Sequence, residues 1–184
     1  MTRVRTLLTT AGAIGVGIVR TVLNRGARPD VTLRPGDAAP LFDLEGSDGR
    51  RYRLAEMLGH GAVVLAWFPR AFTGGCTAEC RSLGTSGDTL RGFDVRYFGA
   101  SVDSPETNAR FARSLGLDYP ILSDPTGDAA RAYGVLSASG YASRWTFYVG
   151  ADGRILDIDT HVSAGSHGRD IASKLTELQV PKAL

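Results

Sequence analysis

At 184 residues, with 43% hydrophobic and 22% charged side chains, the chain is long enough for one domain with a sizeable core and too apolar to stay unfolded. The net charge of +2 conceals an asymmetry: residues 1–35 carry six arginines against one acid, Asp30, while the remainder carries 15 basic and 18 acidic side chains. A mildly acidic body with no basic face argues against nucleic acid as a partner. Two cysteines, Cys76 and Cys80, are too few for a disulfide scaffold, and they fit a reducing, cytoplasmic compartment with a catalytic or metal-binding thiol pair.

Residues 1–30 stand apart. Arg3 and Arg5 precede an apolar run, Leu7–Val19, which Arg20 closes. As a helix that run would span only about 20 Å, short of a bilayer core. It is broken by Thr9, Thr10, Gly12, Gly15 and Gly17, and no convincing cleavage site follows. Extended, it puts Leu7, Ala11, Ile14, Ile18 and Val22 on one stripe, which suits an amphipathic arm on a membrane surface or a partner. A poorly ordered tail fits the same residues, and a cleaved export signal ranks third. Gly26–Asp30 reads as a linker, so the body, residues 31–184, begins near Val31.

Within the body, Leu41–Leu44 reads as a short strand, and Asp48-Gly49 turns the chain into a second one, Arg51–Leu54. Ala55–Leu58 is a brief helical turn. Ala62–Phe68 has no polar alternation and predicts a central strand covered on both faces. It stops at Pro69, and a loop with Thr73, Gly74 and Gly75 delivers Cys76 to a helix running to about Leu83, with Gly84, Ser86 and Gly87 as interruptions before Leu90. Val95–Val102 is a second central strand. Ser104-Pro105-Glu106 opens the next helix, with Ser104 as N-cap and Gly116 as its stop. Tyr119–Leu122 is a short strand and Thr126–Tyr133 a helix. Trp145–Gly150 and Ile155–Asp159 flank a turn, and Ser166–Leu178 is an amphipathic helix. The order predicts an α/β fold of thioredoxin-like plan: a mixed sheet, helices on both faces, and an added N-terminal hairpin.

Cys76 is the residue around which this plan is arranged. A helix N-terminus favours a thiolate, because unpaired N–H groups and the helix dipole attract negative charge. The two glycines allow backbone donors to approach a ligand. A buried core cysteine is the commoner fate of a lone Cys, but this one follows a strand end on a Gly-Gly loop and lies off any periodic apolar face. His60, His161 and His167 fall in turns or loops and read as surface residues. Trp67 and Trp145 read as core or as pocket wall.

The pattern Pro69-x-x-x-Thr73-x-x-Cys76 resembles the peroxidatic signature of peroxiredoxins, and the wider match is to the PrxQ type, also called bacterioferritin comigratory protein. It runs through G-D-A-A-P-L-F-D-L (36–44), D-G-R-R-Y-R-L (48–54), the V-V-L-A-W-F-P strand, G-C-T-A-E (75–79) and R-W-T-F-Y-V-G-A-D-G-R-I (144–155), and covers roughly residues 31–180. The resemblance implies a thiol peroxidase for hydrogen peroxide or organic hydroperoxides, recycled by thioredoxin or a similar dithiol, without metal, flavin or haem, as a monomer or weak homodimer. It implies Cys76 as nucleophile, passing through a sulfenic acid. Thr73 is implied to turn its hydroxyl toward sulfur and peroxide, a role compatible with capping the helix. Arg144, always charged, holds thiolate and peroxide oxygens; Glu79 orients Arg144; Pro69 shields the pocket; and the N–H groups of Gly75 and Cys76 complete it.

Two departures from the family pattern stand out. Gly74-Gly75 replaces the usual Pro-Gly. Cys80 lies four positions past Cys76, where the resolving cysteine of such enzymes is five positions on. On an intact helix that spacing leaves Cβ atoms about 5–6 Å apart, beyond the 3.5–4.5 Å of a disulfide. Cys80 is thus either a resolver that needs the helix to unwind, or a packed helix residue in a one-cysteine enzyme. Cys-x-x-x-Cys on a thioredoxin-like helix also resembles the SCO-type copper chaperones. Their histidine, however, precedes the strand Thr146–Gly150, where this chain has Arg144-Trp145. A thioredoxin-type reductase would need Cys-x-x-Cys, which is absent.

Overall fold

The computed structural model describes residues 32–183. The arm read over residues 1–30 lies outside the described residues. Among those described, no helix is long and apolar enough to cross a membrane.

Among the described residues there are seven strands: β1 (Asp43–Gly46), β2 (Arg51–Arg53), β3 (Ala62–Trp67), β4 (Val95–Ser101), β5 (Ile121–Ser123), β6 (Trp145–Val149) and β7 (Ile155–Asp159). Six helices accompany them: α1 (Leu54–Met57), α2 (Gly74–Thr85), α3 (Gly87–Arg91), α4 (Pro105–Leu115), α5 (Asp128–Ala132) and α6 (His167–Glu177). The strands form one sheet in the order β2-β1-β5-β4-β3-β6-β7. β3, β4 and β5 are parallel and linked by helical crossovers, whereas the β1–β2 hairpin and β6–β7 add antiparallel edges. This is the predicted mixed sheet with its added hairpin.

The uninterrupted apolar run of β3 is buried at every residue, as a central strand requires. Its side chains alternate between two cores. Val63, Leu65 and Trp67 join Leu54, Ala130, Tyr133 and Phe147 under α1 and α5. Ala62, Val64, Ala66 and Phe68 join Leu83, Leu90, Phe111 and Ile171 under α2, α3, α4 and α6. Trp67 and Trp145 both pack with the first of these cores, so neither is wall to the Cys76 site, which belongs to the second.

Local signals place several boundaries. Ser104 caps α4 by accepting from Thr107 N–H, Pro105 opens it, and Gly116 closes it in the left-handed conformation. The first strand starts two residues later than its apolar pattern suggests, because Asp43, not Leu41, pairs with β2; its carboxylate takes bonds from Arg51 and Arg53. Likewise α2 begins at Gly74, two residues before Cys76, with Thr73 at the N-cap position, and it continues to Thr85 before breaking at Ser86. Glycines carry no periodic side chain, so nothing in the pattern announced that first turn.

One close approach fixes α6 on α2. A Cβ on Gly168 would fall 2.3 Å from the Ser82 carbonyl oxygen, and the Gly168 N–H donates to Ser82 Oγ at 3.1 Å. The N-terminus of α6 is therefore flush against the middle of the cysteine-bearing helix.

Candidate active site

Cys76 is the third residue of α2. The first intrahelical bond runs from Thr77 N–H to Thr73 C=O, leaving the N–H groups of Gly74, Gly75 and Cys76 outside the helix ladder. Contrary to the expectation from its loop position, Cys76 does lie on the periodic buried face, with Glu79, Cys80 and Leu83, and is 1% exposed. Position on that face does not make it inert, because of what covers it.

Arg144 arrives from the residue before β6 and places Nη2 3.4 Å from Cys76 Sγ. Residues two apart on a strand share a face, so Arg144 points the same way as Thr146 and Tyr148, toward α2. Its side chain is 24% exposed and forms the lid between sulfur and solvent. Gly75 leaves room for this approach: a Cβ there would stand 3.2 Å from Arg144 Nη2, tight enough to press on the guanidinium. The other end of the guanidinium, Nη1, contacts Glu79 Oε2 as an ion pair. Glu79, one turn past Cys76 and 2% exposed, is thus a buried carboxylate facing the arginine.

Sequence reasoning missed the group behind Glu79. His167, read as a surface residue, is 1% exposed at the start of α6. Its Nδ1 lies 3.1 Å from Glu79 Oε1, and its Nε2 lies 2.7 Å from Thr146 Oγ1. Burial, reinforced by the Arg144 charge and opposed by Asp159 and Asp170, pushes the imidazole down to about 4, so the ring is uncharged near neutral pH. The partners of His167 are 21 and 88 residues away in sequence, and no local pattern signals them. The Ser-His-Gly step before an amphipathic run was the only cue, and it marks a helix start rather than a buried ring.

Thr73 is exposed, and its hydroxyl donates to the Arg70 carbonyl at 3.0 Å; it makes no capping bond and does not point its proton at Cys76. Pro69 is half-buried at the end of β3. The loop it begins is anchored by Asp103, which accepts from Ala71 N–H at 2.8 Å and from Ser101 Oγ at 2.9 Å. Asp103 directly precedes the Ser104-Pro105 helix start, and no local pattern marks it as an anchor. Phe72 is exposed, adopts a positive φ of 62°, and packs against Phe111 with ring centroids 5.0 Å apart and planes tilted by 57°.

Cys80 shares the helix but not the chemistry. Both cysteines are free thiols. Cys80 is 2% exposed, and burial pushes its thiol up to about 12. Its backbone carbonyl accepts from the buried Tyr119 hydroxyl at 3.0 Å. The copper-chaperone reading finds no support, because Arg144 and not a histidine faces Cys76. Among the described residues no cluster of three or more His, Cys, Asp or Glu side chains is arranged to hold a metal, and His161 is exposed beyond β7.

Comparison with known proteins gives one family. The AhpC/TSA family profile matches residues 35–158. A putative peroxiredoxin of Mycobacterium tuberculosis is 36% identical over 144 residues, covering 73% of this chain and 90% of that protein. Peroxiredoxin Bcp of Escherichia coli is 30% identical over 152 residues, covering 79% and 97%. Among solved structures, peroxidoxin BcpB of Mycobacterium tuberculosis superposes with a TM-score of 0.73 at 30% identity, covering 79% of this chain and 98% of that one.

Proposed function

The chain belongs to the AhpC/TSA family and is a peroxiredoxin of the Bcp/PrxQ kind, a thiol peroxidase, and from that premise we propose how its own residues divide the chemistry. Cys76 is the peroxidatic nucleophile. Its thiolate attacks one peroxide oxygen, an S–O bond forms as the O–O bond breaks, and hydroxide or alkoxide leaves and takes a proton. The products are a Cys76 sulfenic acid and water or an alcohol.

The observation that carries this reading is the Arg144 guanidinium beside Cys76 Sγ. A fixed cation at the sulfur favours the thiolate before attack and stabilises the charge that develops on the leaving oxygen. The unladdered N–H groups of Gly75 and Cys76 point the same way in charge. Glu79 orients Arg144, and Pro69 shields the pocket. Thr73 is the donor that turns from the Arg70 carbonyl toward the peroxide once substrate enters, since apo hydroxyls often reach their catalytic partners only in the complex.

Cys80 resolves the sulfenic acid. Its sulfur attacks Cys76 Sγ, water leaves, and a Cys76–Cys80 disulfide forms. Neither the helical spacing nor the burial of Cys80 permits this on the intact helix, so the first two turns of α2 unwind. Exposure then also restores the nucleophilicity that burial withholds from Cys80. Thioredoxin or a similar dithiol reduces the disulfide; hydrogen peroxide and organic hydroperoxides are the substrates. The protein acts as a monomer or weak homodimer, in the cytoplasm, with residues 1–30 supplying any membrane contact.

One experiment tests the scheme. Reduced protein receives one equivalent of hydrogen peroxide; its consumption is followed, and intact mass is taken with and without alkylation, beside Cys76→Ser and Cys80→Ser. Rapid consumption that needs Cys76, with a two-dalton loss that needs Cys80, is the expected result. A sulfenic acid or mixed disulfide on Cys76 in place of that loss makes Cys80 a spectator. Consumption no faster than by a free thiol removes the assignment of Cys76.

A further inference from the structure

Glu79 has two carboxylate oxygens, and the structure gives each a different neighbour. Oε2 faces Arg144 Nη1, and Oε1 faces His167 Nδ1. All four atoms are sealed from water, and beyond these two close contacts none has a polar partner. Arg144 is divided in the same way, with Nη1 on the carboxylate and Nη2 on Cys76 Sγ. This division is not what the pair would choose alone. A carboxylate and a guanidinium prefer two parallel contacts, fork to fork. If Oε1 were free, rotation of the carboxylate would bring it to the second nitrogen of Arg144 and draw that nitrogen from the sulfur.

We propose that His167 is a positioning residue for the peroxidase reaction: its Nδ1–H occupies Glu79 Oε1, so that Glu79 can hold only one end of Arg144 and the other end remains on Cys76. The inference rests on the assignment of Cys76 as the reacting thiol. The arrangement is a closed ring. Thr146 and Arg144 project from one face of the β6 segment; Thr146 meets His167 from α6, His167 meets Glu79 from α2, and Glu79 returns to Arg144.

The proton is on the correct nitrogen for this role. Thr146 Oγ1 can either donate to Nε2 or accept from it, but an ionised carboxylate oxygen can only accept, so the single ring proton is assigned to Nδ1, toward Glu79 Oε1, and Nε2 then accepts from Thr146. This tautomer is assigned from the bonding pattern. The charged groups around the ring are Glu79 from α2, Arg144 before β6, Asp159 from β7 and Asp170 within α6. Burial, the largest influence, keeps the ring neutral through the neutral range; Arg144 also opposes a charged ring, and Glu79 and the two aspartates favour one. A neutral donor satisfies Oε1 without competing with Arg144 for the carboxylate charge.

The test is the pH profile of Cys76 alkylation by iodoacetamide, read by peptide mass, alongside the second-order rate with hydrogen peroxide. His167→Ala should move the profile to higher pH and lower the peroxide rate roughly tenfold, the worth of one hydrogen bond to a charged group. His167→Asn, whose amide N–H sits where Nδ1–H does, should recover most of both. Adding Glu79→Gln to His167→Ala should recover part of the alkylation profile, because a neutral amide does not capture both ends of a guanidinium. Circular dichroism and the urea midpoint verify that each variant is folded. If folded His167→Ala keeps the wild-type profile and rate, or if His167→Asn is as impaired as His167→Ala, the proposal is overturned. Should His167→Ala not fold, Thr146→Val decides: it frees the imidazole to place its proton on Nε2, and it should shift the profile in the same direction by a smaller amount, whereas an unchanged profile overturns the proposal. A wild-type protein that consumes no peroxide would refute the peroxidatic assignment instead; the alkylation profiles would still report whether His167 governs the sulfur.

Discussion

The first and second turns of α2 each bury a cysteine to within a per cent of the other, and they put it to opposite uses. Cys76 lies under a guanidinium that another side chain holds in place. Cys80 lies among Leu83, Tyr119 and the rest of the second core, with no cation in reach of its sulfur, and its thiol is pushed up to about 12. At Cys80 exclusion of water raises the cost of a thiolate. Only at Cys76 does a guanidinium stand against the sulfur, and in the proposed scheme reactivity in this helix follows the neighbour of the sulfur and not its exposure.

The severest challenge to that contrast is Cys76→Ser, which should reduce peroxide consumption to background although Cys80 remains; consumption persisting through Cys80 would abolish the distinction between the turns. Next comes Arg144→Met, which keeps the bulk and removes the charge. The rate with hydrogen peroxide should fall by about 100-fold, comparable to removing one preorganised donor from a site of developing charge. A change of less than a few-fold in stopped-flow consumption would mean that the helix end alone activates the sulfur.

Acid acts on the first-turn network through His167. Its folded pKa, about 4, is below the unfolded value of 6.5, so the unfolded chain binds the proton first. Stability contributed by the neutral ring is complete above pH 6.5 and is lost as pH falls toward 4. Urea midpoints at pH 7.5 and 4.5 should differ by on the order of 2–3 kcal/mol from this group, and His167→Asn should flatten that difference. Gly75→Ala should lower the peroxide rate about tenfold with an unchanged urea midpoint, because the added methyl displaces Arg144 and touches little else. The smallest effect belongs to the second turn. Tyr119→Phe removes the hydroxyl that holds the Cys80 carbonyl, costing about 1 kcal/mol. It should also speed formation of the Cys76–Cys80 disulfide after one equivalent of peroxide, read by quenched alkylation, since that bond restrains α2 from opening.

Much of the fold was legible because its signals are local. The apolar run of β3, the Ser104-Pro105 helix start and the Gly116 stop each declare themselves within a few residues. The pattern around Cys76 and the distant Arg144 could be matched to a family. What stayed hidden depends on contacts across the fold. The glycine first turn of α2 has no side-chain period, so Cys76 was placed at a helix start and off the buried face, when it is the third residue and on that face. Thr73 looked free to serve the sulfur, but the Arg70 carbonyl claims its proton. His167 and Asp103 carry no motif, and only the packing of α6 on α2 and of the loop after β3 on β4 gives them a role.

The seat of α6 on α2, with no room for a Cβ at Gly168, has a consequence in time. Synthesis delivers Cys76 early, Arg144 later, and His167 last. A chain still on the ribosome, with residues up to 158 emerged, already carries the thiol and the arginine but lacks α6, the helix that brings His167 to Glu79. The nascent protein therefore passes through a stage in which Cys76, Glu79, Arg144 and Thr146 are all present and the ring that His167 closes is still open. Docking of a single glycine-notched helix ends that stage, so competence arrives with completed tertiary structure and not with the residues of the motif.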